Sequence, residues 1–115
     1  MDNRVKKEIA EAKQTLTKLR KLYPEVPNFP LKFKKCMPRG MGYMLSRHKR
    51  GFKKQTIKLI EMVIDNTGNI CFELGYIVCH EFAHAILITR KADTRESKEH
   101  EKLTYSLAKK MKYCS

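Results

Sequence analysis

Residues 71–88 read CFELGYIVCHEFAHAILI, an apolar run that contains the motif HEFAH at positions 80–84. Positions four apart on a helix lie one turn apart on the same face, so His80 and His84 can direct ring nitrogens at one metal ion. Glu81 lies about 100° around the helix from His80, which places its carboxylate beside the ion and within reach of a water there. Two ligands and a general base at this spacing are typical of a zinc site that activates water for peptide hydrolysis.

The setting of the motif predicts a helix over 70–90 that is buried on nearly all sides, after a turn at 65–69. Polar groups buried without partners would cost about 1–3 kcal/mol each, and a metal ion supplies partners for the motif's side chains at once. The sequence therefore favours a metal site over a chance occurrence of the motif on a surface helix.

A catalytic zinc takes a third protein ligand and keeps one coordination position open. Leu87 and Arg90 exclude the metzincin form of the motif, which needs glycine and histidine at those positions. His100 lies on the apolar stripe of a helix predicted over 96–112, in line with Leu103, Leu107 and Met111. We predict that His100 is the third ligand, the alternative being a histidine satisfied within the core. The competing carboxylates, with the first ranked highest, are Glu101, Glu96 and Glu99.

The rest of the chain predicts an α+β fold in one domain over 1–115. An amphipathic pattern over 3–22 predicts an N-terminal helix, which is followed by prolines that end it. Short strands are predicted to form a small, mainly antiparallel, three-stranded sheet from 31–36, 41–47 and 55–64. The buried HExxH helix and a C-terminal helix that carries the third ligand complete the expected fold.

The formal net charge of +13 is unevenly distributed along the chain. No acidic residue lies between Glu25 and Glu61, whereas ten cationic residues do: Lys32, Lys34, Lys35, Arg39, Arg47, Lys49, Arg50, Lys53, Lys54 and Lys58. Cations of this density neutralise phosphates and release counterions on binding. The basic region 32–58 therefore predicts contact with DNA, single-stranded or distorted, in preference to a merely solvated hairpin.

The densest part of the basic region, at 47–54, is expected to be a loop between two strands. An aromatic ring there, or that of Tyr43 nearby, can stack on an unpaired base. The predicted nucleic-acid-binding residues are Arg47, Lys49, Arg50, Phe52, Lys53 and Lys54.

The metal motif, the segment of about fifteen residues after it and a histidine opening a short amphipathic helix resemble the SprT-like metallopeptidases. That family includes the Spartan-type proteases, which degrade DNA–protein crosslinks. The resemblance covers about residues 30–112 and implies zinc held by His80, His84 and His100, with Glu81 as the catalytic residue. The chain departs from much of the family in flanking its third histidine with glutamates rather than glycines. It is expected to be a minimal form, without the zinc ribbon and recruitment tails of larger members.

The function expected from these features is that of a zinc endopeptidase acting on proteins associated with DNA, in the manner of DNA repair. The alternatives are a non-enzymatic nucleic-acid-binding module with a structural zinc, and a peptidase of a phage or mobile element dedicated to one regulator. A substrate is expected to add as a strand beside 41–47, where Gly40 and Gly42 allow close approach. The candidate oxyanion donors, which the sequence does not rank, are Tyr76, Tyr105 and Tyr113.

Cellular location and oligomeric state are predicted from composition. No stretch approaches the roughly 20 apolar residues of a membrane span, and the charged N-terminus is unlike a signal peptide. We expect a cytoplasmic, nucleoid-associated or nuclear monomer that is not secreted. The cysteines lack C-x-x-C spacing and are expected to be small hydrophobic residues in a reducing compartment, namely Cys36, Cys71, Cys79 and Cys114.

Overall fold

The computed structural model describes residues 3–34, 42–50, 55–65, 74–91 and 98–113. These ranges contain three helices and three strands, which confirm the predicted α+β fold with a helix at each end. The helices are α1 (Asn3–Leu22), α2 (Leu74–Lys91) and α3 (Lys98–Lys110). The strands are β1 (Leu31–Lys34), β2 (Gly42–Arg50) and β3 (Gln55–Asp65).

The described strands form a mixed sheet in the order β1-β3-β2. The antiparallel pairing of β2 with β3 is the longer one and runs from Gly42 opposite Ile64 to Arg50 opposite Gln55. β1 joins the other side of β3 in parallel, beginning with Leu31 opposite Met62. The sheet is thus antiparallel over most of its length, as predicted, with one short parallel edge.

The basic stretch expected to be a loop is partly strand. β2 continues to Arg50 because its residues remain paired with β3 as far as Gln55, so residues 47–50 belong to the hairpin arm. The register shifts between Leu45, opposite Glu61, and Ser46, opposite Leu59, so the extra residue of the bulge, Ile60, belongs to β3. The rest of the expected loop, 51–54, lies outside the described residues, as do the last two residues of the strand predicted at 31–36.

The predicted N-terminal helix is confirmed from Asn3 to Leu22. Its apolar stripe is buried at Ala12, Leu16 and Leu19, where it contributes to the core. This packing is expected from the 3.6-residue period of an amphipathic helix and leaves its lysines in solvent.

Helix α2 is the centre of the core and is buried along nearly its whole length. Phe82 is fully buried, and its ring lies 6.1 Å from that of Tyr23 and 6.2 Å from that of Phe29, which follow α1. Cys79 is also fully buried, as expected of a small hydrophobic residue. Neither α2 nor any other helix in the described ranges is long and apolar enough to cross a membrane.

Helix α3 ends in a Schellman motif that returns the chain toward α1 and α2. The N–H of Tyr113 donates to the carbonyl of Ala108, and the N–H of Lys112 donates to that of Lys109. Lys112 adopts the left-handed conformation with φ of 66°. The Tyr113 hydroxyl then lies 2.7 Å from Oγ1 of Thr15 on α1, which fixes the C-terminal end of α3.

Candidate metal centre

Helices α2 and α3 bring the three predicted histidine ligands together. His80 and His84 lie one turn apart on α2, and His100 lies in the first turn of α3. One ring nitrogen from each side chain lies within 4.8 Å of the other two. The ring of His100 is 4.6 Å from that of His80 and stacks at 3.7 Å on that of His84. These residues can hold a metal ion.

His100 is the most deeply buried of the three histidines. Only 1% of its surface is exposed, and its Nε2 atom lies 2.9 Å from the backbone carbonyl oxygen of His80. This hydrogen bond ties the start of α3 to the metal-binding face of α2. The burial predicted from the apolar stripe of α3 is therefore confirmed, and it places the imidazole beside the motif rather than in a remote part of the core.

Glu81 lies next to the histidine group without joining it. The residue is 4% exposed, and its Oε1 atom is 3.7 Å from Nε2 of His80. This is the arrangement that the helical spacing predicts, since a residue one position along is turned by about 100°. The carboxylate therefore lies beside the three imidazoles without belonging to the group that could hold an ion.

The two competing carboxylate ligands that the structure describes do not lie at the centre. Glu99 and Glu101 are exposed on α3 and do not belong to the metal-binding group of the described residues. Glu96 lies outside the described residues. Because the inward face of α3 is the one that carries His100, its neighbours in sequence point away from α2.

A cavity of about 300 Å³ opens beside the centre, between α2 and the edge strand β2. Glu81 and His84 line it on one side together with Ile88. The opposite wall is formed by residues of β2, namely Gly42, Tyr43, Met44 and Ser46. The cavity thus joins the candidate base and one ligand to a strand that lies at one edge of the described sheet.

Gly42 has a structural role that the sequence did not indicate. A Cβ atom at this position would lie 2.9 Å from the carbonyl oxygen of Val63 and 3.0 Å from Cγ2 of Ile77 on α2. The absence of a side chain therefore lets β2 approach α2 closely. Gly40, the other glycine expected to allow close approach, lies outside the described residues.

The tyrosines suggested as oxyanion donors do not line this cavity. Tyr113 directs its hydroxyl at Thr15, and Tyr105 is 52% exposed on α3. Tyr76 is partly buried against the core. Tyr43 is the tyrosine that lines the cavity, whereas the sequence analysis predicted that its ring would stack on a base. The position of Tyr43 in the cavity wall becomes apparent only from the pairing of β2 with β3.

Part of the predicted nucleic-acid-binding surface is described. Arg47 is exposed on β2, and Lys49 and Arg50 follow it in the same strand. Phe52, Lys53 and Lys54 lie outside the described residues.

Elsewhere in the basic region, Lys34 is exposed on β1, whereas Lys32 has an acidic partner. The ammonium group of Lys32 lies 2.8 Å from the Glu61 carboxylate, and this hydrogen bond raises the pKa of the lysine. Lys32 therefore contributes less unmatched charge than the sequence alone suggests.

Comparison of the chain with protein-family models, curated proteins and solved structures found no match.

Proposed function

We propose that this protein is a zinc-dependent endopeptidase of the SprT-like type. The observation that carries the proposal is the placement of Glu81 at a cavity beside three converging histidines. A structural site normally closes with four protein ligands, whereas a catalytic site keeps one position for water. The three-histidine group with an adjacent carboxylate is of the type expected for a catalytic site.

The ligand geometry suits zinc. A tetrahedral ion with Zn–N bonds of about 2.0–2.1 Å holds its ligand nitrogens roughly 3.3 Å apart. The candidate nitrogens of His80, His84 and His100 lie within 4.8 Å of one another, so they would move closer together to hold the ion. Zinc fits three imidazoles and leaves one position open.

Bound zinc would lower the pKa of a coordinated water toward about 7 and polarise a peptide carbonyl. Glu81 then acts as the general base, accepts a proton from the attacking water and returns it to the leaving amine. Its burial keeps the carboxylate beside its target, because few rotamers are open to a side chain packed on all sides. The general base and the ligands lie on one helix, so the backbone of α2 sets their spacing.

The substrate is proposed to bind as an added strand along β2. This strand lies at an edge of the described sheet and forms one wall of the cavity. Main-chain hydrogen bonds to an edge strand tolerate many side chains, which suits an enzyme that meets varied proteins. DNA-associated proteins are the proposed substrates because Arg47, Lys49 and Arg50 continue the same strand. These cations belong to a stretch of the sequence that contains no acidic residue.

The variant Glu81→Gln tests the proposed mechanism. We expect it to retain one zinc per chain, measured by elemental analysis, and to lose cleavage of a DNA-bound test protein by at least about 100-fold, the lower range for a general base. Glu101→Gln is the matched control, since it changes an exposed glutamate of the same region and should leave both properties intact. Normal cleavage by Glu81→Gln would rule out the mechanism.

DNA dependence separates the proposal from its alternatives. Cleavage should rise with single-stranded DNA and fall with salt, and Arg47→Glu should weaken both DNA binding and this stimulation. A cleavage rate that is the same with and without DNA would point to a peptidase dedicated to one protein regulator. Zinc and DNA binding without any cleavage would point to a non-enzymatic module with a structural zinc.

A further inference from the structure

The hydrogen bond between His100 and the backbone of α2 determines which ring nitrogen can face a metal. A carbonyl oxygen can only accept a hydrogen bond, so Nε2 of His100 must donate its proton to the His80 carbonyl at 2.9 Å. In a neutral imidazole one nitrogen is the donor and the other carries the lone pair. The lone pair of His100 is therefore on Nδ1.

Thr104 lies on the same side of the His100 ring as this carbonyl. It is one turn further along α3, is 4% exposed, and its Oγ1 atom lies 3.5 Å from Nε2 of His100. The distance is at the outer limit of a hydrogen bond, so the His80 carbonyl is the stronger partner. Both oxygens lie near Nε2, and a nitrogen that donates its proton to the carbonyl has no lone pair to offer a cation.

We propose that His100 ligates the metal through Nδ1, with its Nε2–H held by the His80 carbonyl and supported by Thr104. In this arrangement the first ligand residue of α2 orients the third ligand through its own main chain. Thr104 is a positioning residue, since it acts on His100 and not on the metal or the substrate. The inference rests on the metal site of the proposed function and does not require proteolysis.

The tautomer is testable in the metal-free protein. Long-range proton–nitrogen correlation spectra of ¹⁵N-histidine-labelled protein above pH 8 report which ring nitrogen carries the proton. We expect His100 to be protonated on Nε2, with its signals assigned by their loss in His100→Gln. Protonation on Nδ1 would overturn the inference.

Cadmium substitution tests the ligand atom itself. With ¹¹³Cd in place of zinc, the ¹¹³Cd–¹⁵N coupling of His100 should involve Nδ1. Coupling to Nε2 would overturn the inference while leaving the proposed peptidase intact. Coupling to Nδ1 in a protein without proteolysis would support the inference and reject the proposed function. A protein that binds neither ion would overturn both.

The role of Thr104 is tested by two variants that differ in one hydroxyl. Thr104→Val removes the hydroxyl at nearly constant shape and should weaken zinc affinity about 10-fold, the lower range for a group that orients a ligand. Thr104→Ser retains the hydroxyl, so its zinc affinity should stay within about 3-fold of that of the parent protein, a smaller change than in Thr104→Val. Equal affinities in the two variants would remove Thr104 from the inference.

Discussion

At the residue scale, Gly75 is the glycine, of the two that the structure describes, where an added methyl group would meet the nearer obstacle. It is buried in the first turn of α2, and a Cβ there would collide with the Oη and Cζ atoms of Tyr113. The Tyr113 ring cannot withdraw easily, because its hydroxyl is bonded to Thr15. Gly75→Ala should therefore lower the free energy of unfolding by about 1–3 kcal/mol, despite the better helix propensity of alanine.

Urea unfolding of the variant measures this loss, and a double-mutant cycle identifies its cause. If the clash is responsible, Gly75→Ala should cost much less in a Tyr113→Ala background. An equal cost in both backgrounds would mean that the methyl group meets another obstacle.

The sequence predicted which histidines come together better than it predicted their orientation. Helical spacing placed His80, His84 and Glu81, and the apolar stripe of α3 placed His100 inside. The hydrogen bond from His100 to the His80 carbonyl could not be predicted in this way, because it depends on how closely two helices pack. The position of Tyr43 at the cavity could not be predicted for the same reason, since it depends on the packing of separate elements.

At the scale of elements, the end of α3 stores a small amount of conformational energy. Lys112 occupies the left-handed position of the Schellman motif with φ of 66°, a conformation that costs a residue with a side chain about 1 kcal/mol. Lys112→Gly should raise the free energy of unfolding by roughly 0.5–1 kcal/mol, measured by urea denaturation. Lys109→Gly, inside the last turn of α3, is the contrasting control and should lower it by up to about 1 kcal/mol. A lower free energy of unfolding in both variants would contradict a conformational cost at Lys112.

Element types were more predictable than element partners. The period of apolar residues predicted α1 at 3–22, and the structure has the same bounds. The sequence predicted that β2 ends at residue 47, whereas its hydrogen-bonded pairing with β3 extends the strand to Arg50. The parallel pairing of β1 was not predicted, since a four-residue strand carries no local signal for its direction. Strand ends and partners depend on distant backbone groups that a single segment does not encode.

At the scale of the whole molecule, metal binding should stabilise the fold by linking α3 to α2. When free zinc is about 1000-fold above Kd, a site formed only in the folded state adds about 4 kcal/mol. The midpoint of thermal unfolding should therefore fall on adding a chelator and recover with zinc. His100→Gln should lose most of this response because it removes the ligand from α3. An unchanged midpoint in the parent protein would argue against a metal held by both helices.

Acid should weaken the link between the segment after α1 and the end of α2. A backbone hydrogen bond of Glu25 and its ion pair with Arg90, at 3.0 Å, lower the pKa of that carboxyl from the ordinary 4.5. A lowered pKa stabilises the fold above pH 4.5, and this contribution disappears as pH falls through the folded-state value. The pair is exposed, so the effect should be small.

Melting curves of the parent protein and Glu25→Gln across this pH range measure the contribution of Glu25. We expect the parent to be more stable above pH 4.5 and the two proteins to converge in stronger acid. A difference that grows on acidification would have the wrong sign for this carboxyl.

The order β1-β3-β2 leaves two outer strands in the described sheet, and both are rich in cations. β1 contains Lys32 and Lys34, and β2 contains Arg47, Lys49 and Arg50. An outer strand presents unsatisfied backbone groups on which another chain can extend the sheet, and charged residues oppose such aggregation. We therefore expect the cations proposed to attract DNA to oppose the joining of copies of this protein edge to edge as well, so that neutralising them would favour self-association.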